Sequence, residues 1–216
     1  MKYLYKISIR VIVGCIFMLC TACSEESLCP DENHPHVIDL GLPDGTKWAC
    51  CNVGAPQPED HGGFYAWGET NVKPIYDGTH YQHGEVSPQI PQQMGNIAGS
   101  EYDVARARDG LSWQMPSSNQ WQELIDYCEW DWVEYKGCHG WKITGPNGNM
   151  LFLPAGGAKG GDEWYSEDEH GYYWSADYKR GEGPVEFYTN GGCRDMRTAS
   201  DNYRFHGHSV RPIANP

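Results

Sequence analysis

Apolar residues come in short runs, and their spacing separates helices from strands. After Pro116, Ser117 stands three residues before Gln120, and Trp121, Leu124, Ile125 and Cys128 recur at i, i+3, i+4 and i+7. That stripe predicts an amphipathic helix opened by a capping box. A second, shorter helix is predicted over 101–108, with Ser100 as its cap and Asp103 completing the box. Other apolar runs have strand length: 37–40, 46–53, 64–67, 130–133, 140–144, 150–153, 172–176, 185–189 and 209–213. Pro43-Asp44-Gly45 and Pro146-Asn147-Gly148 turn strands back on themselves, with proline fixing φ and glycine supplying freedom. Residues 71–99 and 156–171 have little periodicity and read as long surface loops, which in compact domains often carry function. The pattern is α+β: two helices with short antiparallel strands and long loops, in one domain.

The first residues follow another logic. Lys2, Lys6 and Arg10 precede an apolar stretch from Val11 to Leu19, shorter than the ~20 residues that span a bilayer. Thr21 and Ala22 are small residues suited to a signal-peptidase cut. Together with Cys23 they resemble a bacterial lipoprotein signal, although Cys20 stands where that signal usually has Leu. The resemblance implies a signal peptide over 1–22 and lipidation of Cys23, with several acyl chains anchoring the protein in a membrane. An ordinary secretory signal cut near Ala22 is the alternative, and it also exports the chain. Residues 23–36 are acidic and proline-containing and read as a flexible tether. Ser24-Glu25-Glu26 resembles the acidic stretch that sends such lipoproteins to the outer face of the outer membrane.

Charge and cysteine content narrow the classes. The formal charge of the whole chain is −13, and the segment 1–22 holds three basic and no acidic residues, so the remainder carries −16. Nucleic acid and anionic surfaces are poor partners for such a chain. Six cysteines follow Cys23: Cys29, Cys50, Cys51, Cys128, Cys138 and Cys193. In an exported chain they suggest disulfide staples, with fifteen complete pairings open. None of the six stands in a C-x-x-C, so a zinc ribbon or thioredoxin-like motif is unsupported. Abundant Gly, Trp and Tyr, with little Leu or Ile, point to a core of aromatic rings.

Several strings then combine in order. They are Val37 to Ala55 (VIDLGLPDGTKWACCNVGA), Tyr65-Ala66-Trp67-Gly68-Glu69-Thr70, and Trp113 to Ser117 running into Trp121 to Ile125. Thr144 to Gly148, Leu151 to Ala155, Gly171 to Ser175 and Ser209 to Ile213 follow. Their order and spacing resemble the Fibrobacter succinogenes major paralogous domain, over 37–213. The resemblance implies a C-type-lectin-like fold, related to that of formylglycine-generating enzymes. It implies no established activity. Members commonly carry cysteines at the positions of Cys51 and Cys128, which makes that pair the expected disulfide. Gln114 replaces a frequent arginine, and Cys50 a frequent threonine.

Candidate chemistry is sparse. Trp48, Trp67, Trp121 and Trp174 lie in strand or helix motifs and are expected in the core. Trp164 and Tyr165 sit among charges, where rings are harder to bury, with Glu163 and Asp168 as nearby carboxylates. These four are the expected ligand-binding residues, suited to stacking a sugar and bonding its hydroxyls. Asp162, Glu163, Glu167, Asp168 and Glu169 offer oxygens for Ca²⁺, in no defined spacing. His34/His36, His80/His83 and His206/His208 are close pairs without a third ligand motif, so no metal is expected. Cys193 beside Arg194 is the late cysteine that an oxidase reading needs, without a nearby partner. The expected function is a surface-anchored, non-catalytic recognition or adhesion lipoprotein that binds a glycan or surface protein. An enzyme, and a structural part of an envelope or fimbrial assembly, are the alternatives.

Overall fold

The computed structural model describes residues 29, 33–84, 90–199 and 203–214. The expected signal segment 1–22, Cys23 and most of the expected tether lie outside the described residues. No helix among the described residues is long and apolar enough to cross a membrane.

β1 (Val37–Asp39) and β2 (Lys47–Ala49) form the hairpin predicted around Pro43-Asp44-Gly45. The Asp44 carboxylate accepts the Thr46 N–H, closing the turn with a side chain. β2 is shorter than the predicted 46–53 because its later residues leave the hairpin. Val53 N–H donates instead to the Val210 carbonyl. The last strand, β12 (Ile213–Ala214), sits between β2 and β3 (Trp113–Gln114), giving the sheet order β1-β2-β12-β3.

Among the described residues there are three helices, against two predicted. α1 (Ile90–Met94) lies within the expected first loop. α2 (Val104–Asp109) is capped by Asp103, not Ser100: the Asp103 carboxylate accepts from the Ala105 and Arg106 N–H groups. Asp103 immediately precedes the helix, so its carboxylate reaches the first free N–H groups, whereas the Ser100 hydroxyl donates to the Ile97 carbonyl. α3 (Ser118–Tyr127) has the predicted Ser117/Gln120 capping box in full.

Two antiparallel meanders follow: β4 (Glu129–Tyr135), β5 (Cys138–Thr144) and β6 (Met150–Pro154), then β9 (His170–Lys179), β10 (Gly183–Asn190) and β11 (Cys193–Thr198). Between them, the expected second loop contains a small hairpin, β7 (Ala158–Gly160) with β8 (Glu163–Tyr165). The protein is thus mixed but strand-rich, with short antiparallel sheets.

The core is aromatic, as composition predicted. Trp48, Trp67, Trp121 and Trp174 are all fully buried. α3 lays Trp121 flat on Phe187 of β10, with ring centroids 4.7 Å apart, and Trp48 packs on it from β2. Burial of such rings is the main stabilising term. Trp67 and Trp174 send their indole N–H groups to the Ser175 and Tyr65 carbonyls, so these rings bury without stranding a donor.

The disulfide staples are not formed among the described residues. Cys51 packs with Cys50 and Ala55, whereas Cys128 ends α3 and packs against the Trp48/Trp121 core. The expected Cys51–Cys128 pair therefore belongs to two different clusters. Cys50 and Cys51 lie with their sulfurs 3.4 Å apart, in contact but unbonded. The described part of the expected tether also differs from expectation: Cys29 packs against Cys50, Cys51 and Ala55.

Candidate functional site

β6, the β7–β8 hairpin and the loop 59–61 enclose a cleft of about 390 Å³. Trp164 stands at its rim, 39% exposed. Its indole N–H donates to the Gly156 carbonyl at 2.8 Å, and its ring meets His61 and Phe64 edge-on. The ring is therefore held in place while one side stays open. Gly157 makes the hairpin possible, because its φ is +67° and a Cβ there would lie 2.3 Å from the Tyr165 carbonyl oxygen.

Carboxylates dominate the walls: Glu59, Asp60, Glu167 and Asp168. Asp168 and Ser166 have φ of 62° and 56°, an uncommon conformation for residues with side chains. Asp168 is tied to His139, accepting from its backbone N–H and from its ring Nδ1, the latter at 2.7 Å. Burial pushes the Asp168 carboxyl up, yet these bonds from His139 leave it below its usual range. Cys138 also lines the cleft. Burial, then the Asp168 charge, pushes its thiol up to about 11, so it stays protonated at neutral pH and is a poor nucleophile.

Two polar atoms in the cleft wall are buried without a partner, Glu59 Oε2 and His61 Nδ1. Lys136 takes the other Glu59 oxygen at 2.9 Å. The His61 carbonyl is fixed by the Asn52 amide and the Ser209 hydroxyl, so the loop cannot easily turn His61 elsewhere. Buried polar atoms normally find partners, so these two are an exception in the cleft wall.

The four expected ligand-binding residues do not share one site. Successive strand residues face opposite ways, so β8 sends Trp164 to the cleft and Tyr165 to the other face. Tyr165 instead lines a second cavity of about 180 Å³, with Tyr172, Glu186, Ala199, Tyr203, His206 and His208. Glu163 is exposed and lines neither cavity. Trp164 and Asp168 are joined by Glu59, Asp60 and His61, which the sequence reading missed. Their signal was the polar stretch 57–63, rich in charge and glycine and lacking any strand pattern.

The acidic residues at 162–169 do not gather as a Ca²⁺ site. Among the described residues, one group of at least three metal-ligating atoms comes together: Cys29, His34, His36 and Cys50. It shares no residue with the cleft. His80 pairs with Asp77, and His83 with the Gly68 carbonyl. In the contact between Cys50 and Cys51, Cys50 is the more acidic thiol, because the Cys51 thiol and the His36 backbone N–H donate toward its sulfur.

No protein-family model, curated protein or solved structure matches the chain.

Proposed function

We propose that the protein is a surface-anchored, non-catalytic recognition module of C-type-lectin-like type, which holds a neutral or amino-bearing sugar in the Trp164 cleft. One observation carries the reading: a half-open indole ring stands at the rim of a cleft lined by four carboxylates. A ring face takes the apolar face of a sugar, and the exposed carboxylate oxygens of Glu167 and Asp168 can accept from its hydroxyls. The carboxylates at 59, 60, 167 and 168 repel uronic acids and sialic acids and favour neutral or cationic glycans. The thiol in the cleft is held protonated, which favours binding over covalent chemistry. Anchoring rests on the sequence at Cys23, with the outer membrane as the proposed location and the lipid chains as the membrane contact.

The test is a glycan array spanning neutral, amino-sugar and uronic-acid ligands, followed by titration calorimetry on the hits. Neutral or amino sugars should bind. Trp164→Ala should weaken them about 30-fold, the ~2 kcal/mol typical of an aromatic anchor. Tyr165→Phe, on the opposite face, should leave binding unchanged. An empty array, with Trp164→Ala neutral in adhesion to host-matrix proteins, would remove the proposal. Binding that survives Trp164→Ala would place the ligand elsewhere.

A further inference from the structure

The hairpin that opens the domain brings Cys50 against three ligands that stand close together before it in sequence, Cys29, His34 and His36. Cys29 Sγ lies 3.4 Å from His36 Nε2 and 3.9 Å from His34 Nδ1. His34 Nδ1 in turn lies 3.1 Å from Cys50 Sγ. All four ligand atoms fall within 4.8 Å of one another. A tetrahedral zinc ion, with Zn–S near 2.3 Å and Zn–N near 2.0–2.1 Å, sets ligand separations of about 3.3–3.8 Å. The observed contacts straddle that range. We propose that Cys29, His34, His36 and Cys50 form a Cys₂His₂ site for one zinc ion.

The surroundings orient the ligands as a metal site requires. His36 Nδ1 is 3.2 Å from the Asn33 carbonyl oxygen, so the ring N–H donates there. That tautomer leaves the Nε2 lone pair aimed at the cluster, which is how backbone carbonyls commonly position ligating histidines. Cys50 is fixed from two sides. Its N–H donates to the His36 carbonyl at 3.0 Å, and the His36 N–H donates to its sulfur at 3.3 Å. The buried Arg211 guanidinium holds the Cys50 carbonyl. The strand register that pairs Val37 with Ala49 sets His36 opposite Cys50.

Ligand chemistry selects the metal. Two thiolates and two imidazoles suit zinc, whereas calcium and magnesium require oxygen. Four protein ligands close the coordination shell, which marks a structural ion rather than a catalytic one. Binding displaces the two thiol protons to solvent, and no electron moves. The ion ties Cys29 to the end of the β1–β2 hairpin, so the chain preceding it leaves the domain from a fixed point.

The test uses the full chain, purified under reducing conditions, stripped with a chelator and titrated with Zn²⁺ against a chromophoric chelator. One zinc per chain is expected by mass spectrometry. Co²⁺ in its place should show thiolate charge-transfer bands and the intense d–d absorption of a tetrahedral ion. Cys29→Ser, His36→Gln and Cys50→Ser should each weaken zinc by at least about 100-fold, the upper end of what loss of a mere supporting contact costs. Cys193→Ser, outside the cluster, should bind as wild type. Folding of each variant is checked by circular dichroism, and the half-buried His36 keeps the test independent of the buried Cys50. Four results would each overturn the site: no zinc in the reduced chain, an octahedral cobalt spectrum, undiminished binding in His36→Gln, or binding of Cu⁺ with no zinc. A Cys29–Cys50 disulfide in protein isolated from the cell envelope would also overturn it, since the bridge uses both sulfurs. Loss of zinc in Cys51→Ser with retention in Cys50→Ser would overturn the assignment of Cys50.

Discussion

Arg211 shows how one side chain organises this protein. It is fully buried, and its guanidinium donates to Asn52 Oδ1 and to the carbonyls of Ala49, Cys50 and Phe152, at 2.6–3.0 Å. No carboxylate is among these acceptors, so the charge is held by oriented amide dipoles. Those same bonds pin the end of β2 to β6, and with them the backbone that presents Cys50. A lysine places a single ammonium where a planar fork spans four acceptors. Arg211→Lys should therefore destabilise the protein by about 2–4 kcal/mol, through acceptors left unsatisfied in the interior. Urea unfolding measures this directly. A loss below about 1 kcal/mol would mean that water or a shifted backbone satisfies the carbonyls just as well.

The elements differ in how openly the sequence announces them. α3 was legible because its signals are local: a cap, a partner three residues on, and a stripe at helical spacing. Trp164 was legible as a partly exposed ring because charges flank it. Strands β7, β8 and β11 were not, each for a physical reason. β7 and β8 have three residues each, too few for alternation to show, and Gly157 and Gly161 disguise them as loop. β11 is a charged outer strand whose apolar content is Cys193 and Met196. The Cys29/His34/His36/Cys50 cluster was partly legible. The β1–β2 hairpin was predicted, and its register alone sets His36 opposite Cys50, but the approach of Cys29 and His34 is tertiary. The β7–β8 hairpin also yields a prediction about the cleft. Gly157→Ala forces a side chain into φ +67° and against the Tyr165 carbonyl. It should cost about 1–3 kcal/mol, and it should weaken sugar binding by displacing Trp164. Thermal melts and calorimetry on the same variant read both effects. An alanine variant with wild-type stability would show that the hairpin relaxes without strain.

At the scale of the whole molecule, the second cavity sets a pH dependence. Glu186 is 7% exposed, with its Oε2 3.3 Å from His208 Nδ1. Arg197 faces it across the β10–β11 ladder, and His206, Tyr165 and Tyr172 share the cavity. Burial pushes the Glu186 carboxyl up to about 7, against the opposing pull of Arg197. Burial, then His206, pushes His208 well below its ordinary value of 6.5. The two groups act in opposite directions on stability. The folded state keeps a proton on Glu186 that the unfolded chain has already lost, so this contribution falls as pH rises from about 4.5 to about 7. The unfolded chain takes a proton on His208 that the folded state refuses, so that contribution falls as pH drops below about 6.5. In the wild type the two partly cancel between about 4.5 and 6.5, and acid unfolding alone would not reveal either. Glu186→Gln keeps the shape and removes one titration. The stability of Glu186→Gln minus that of wild type should rise from about pH 4.5 to 7 and then level off. The total rise is on the order of 3 kcal/mol, since each unit of pKa difference is worth about 1.4 kcal/mol. Denaturant unfolding at a series of pH values gives this difference curve. A flat or falling curve would mean that Glu186 stays ionised in the fold, held by a protonated His208 and by Arg197. The second cavity would then enclose an ion pair in place of two neutral side chains.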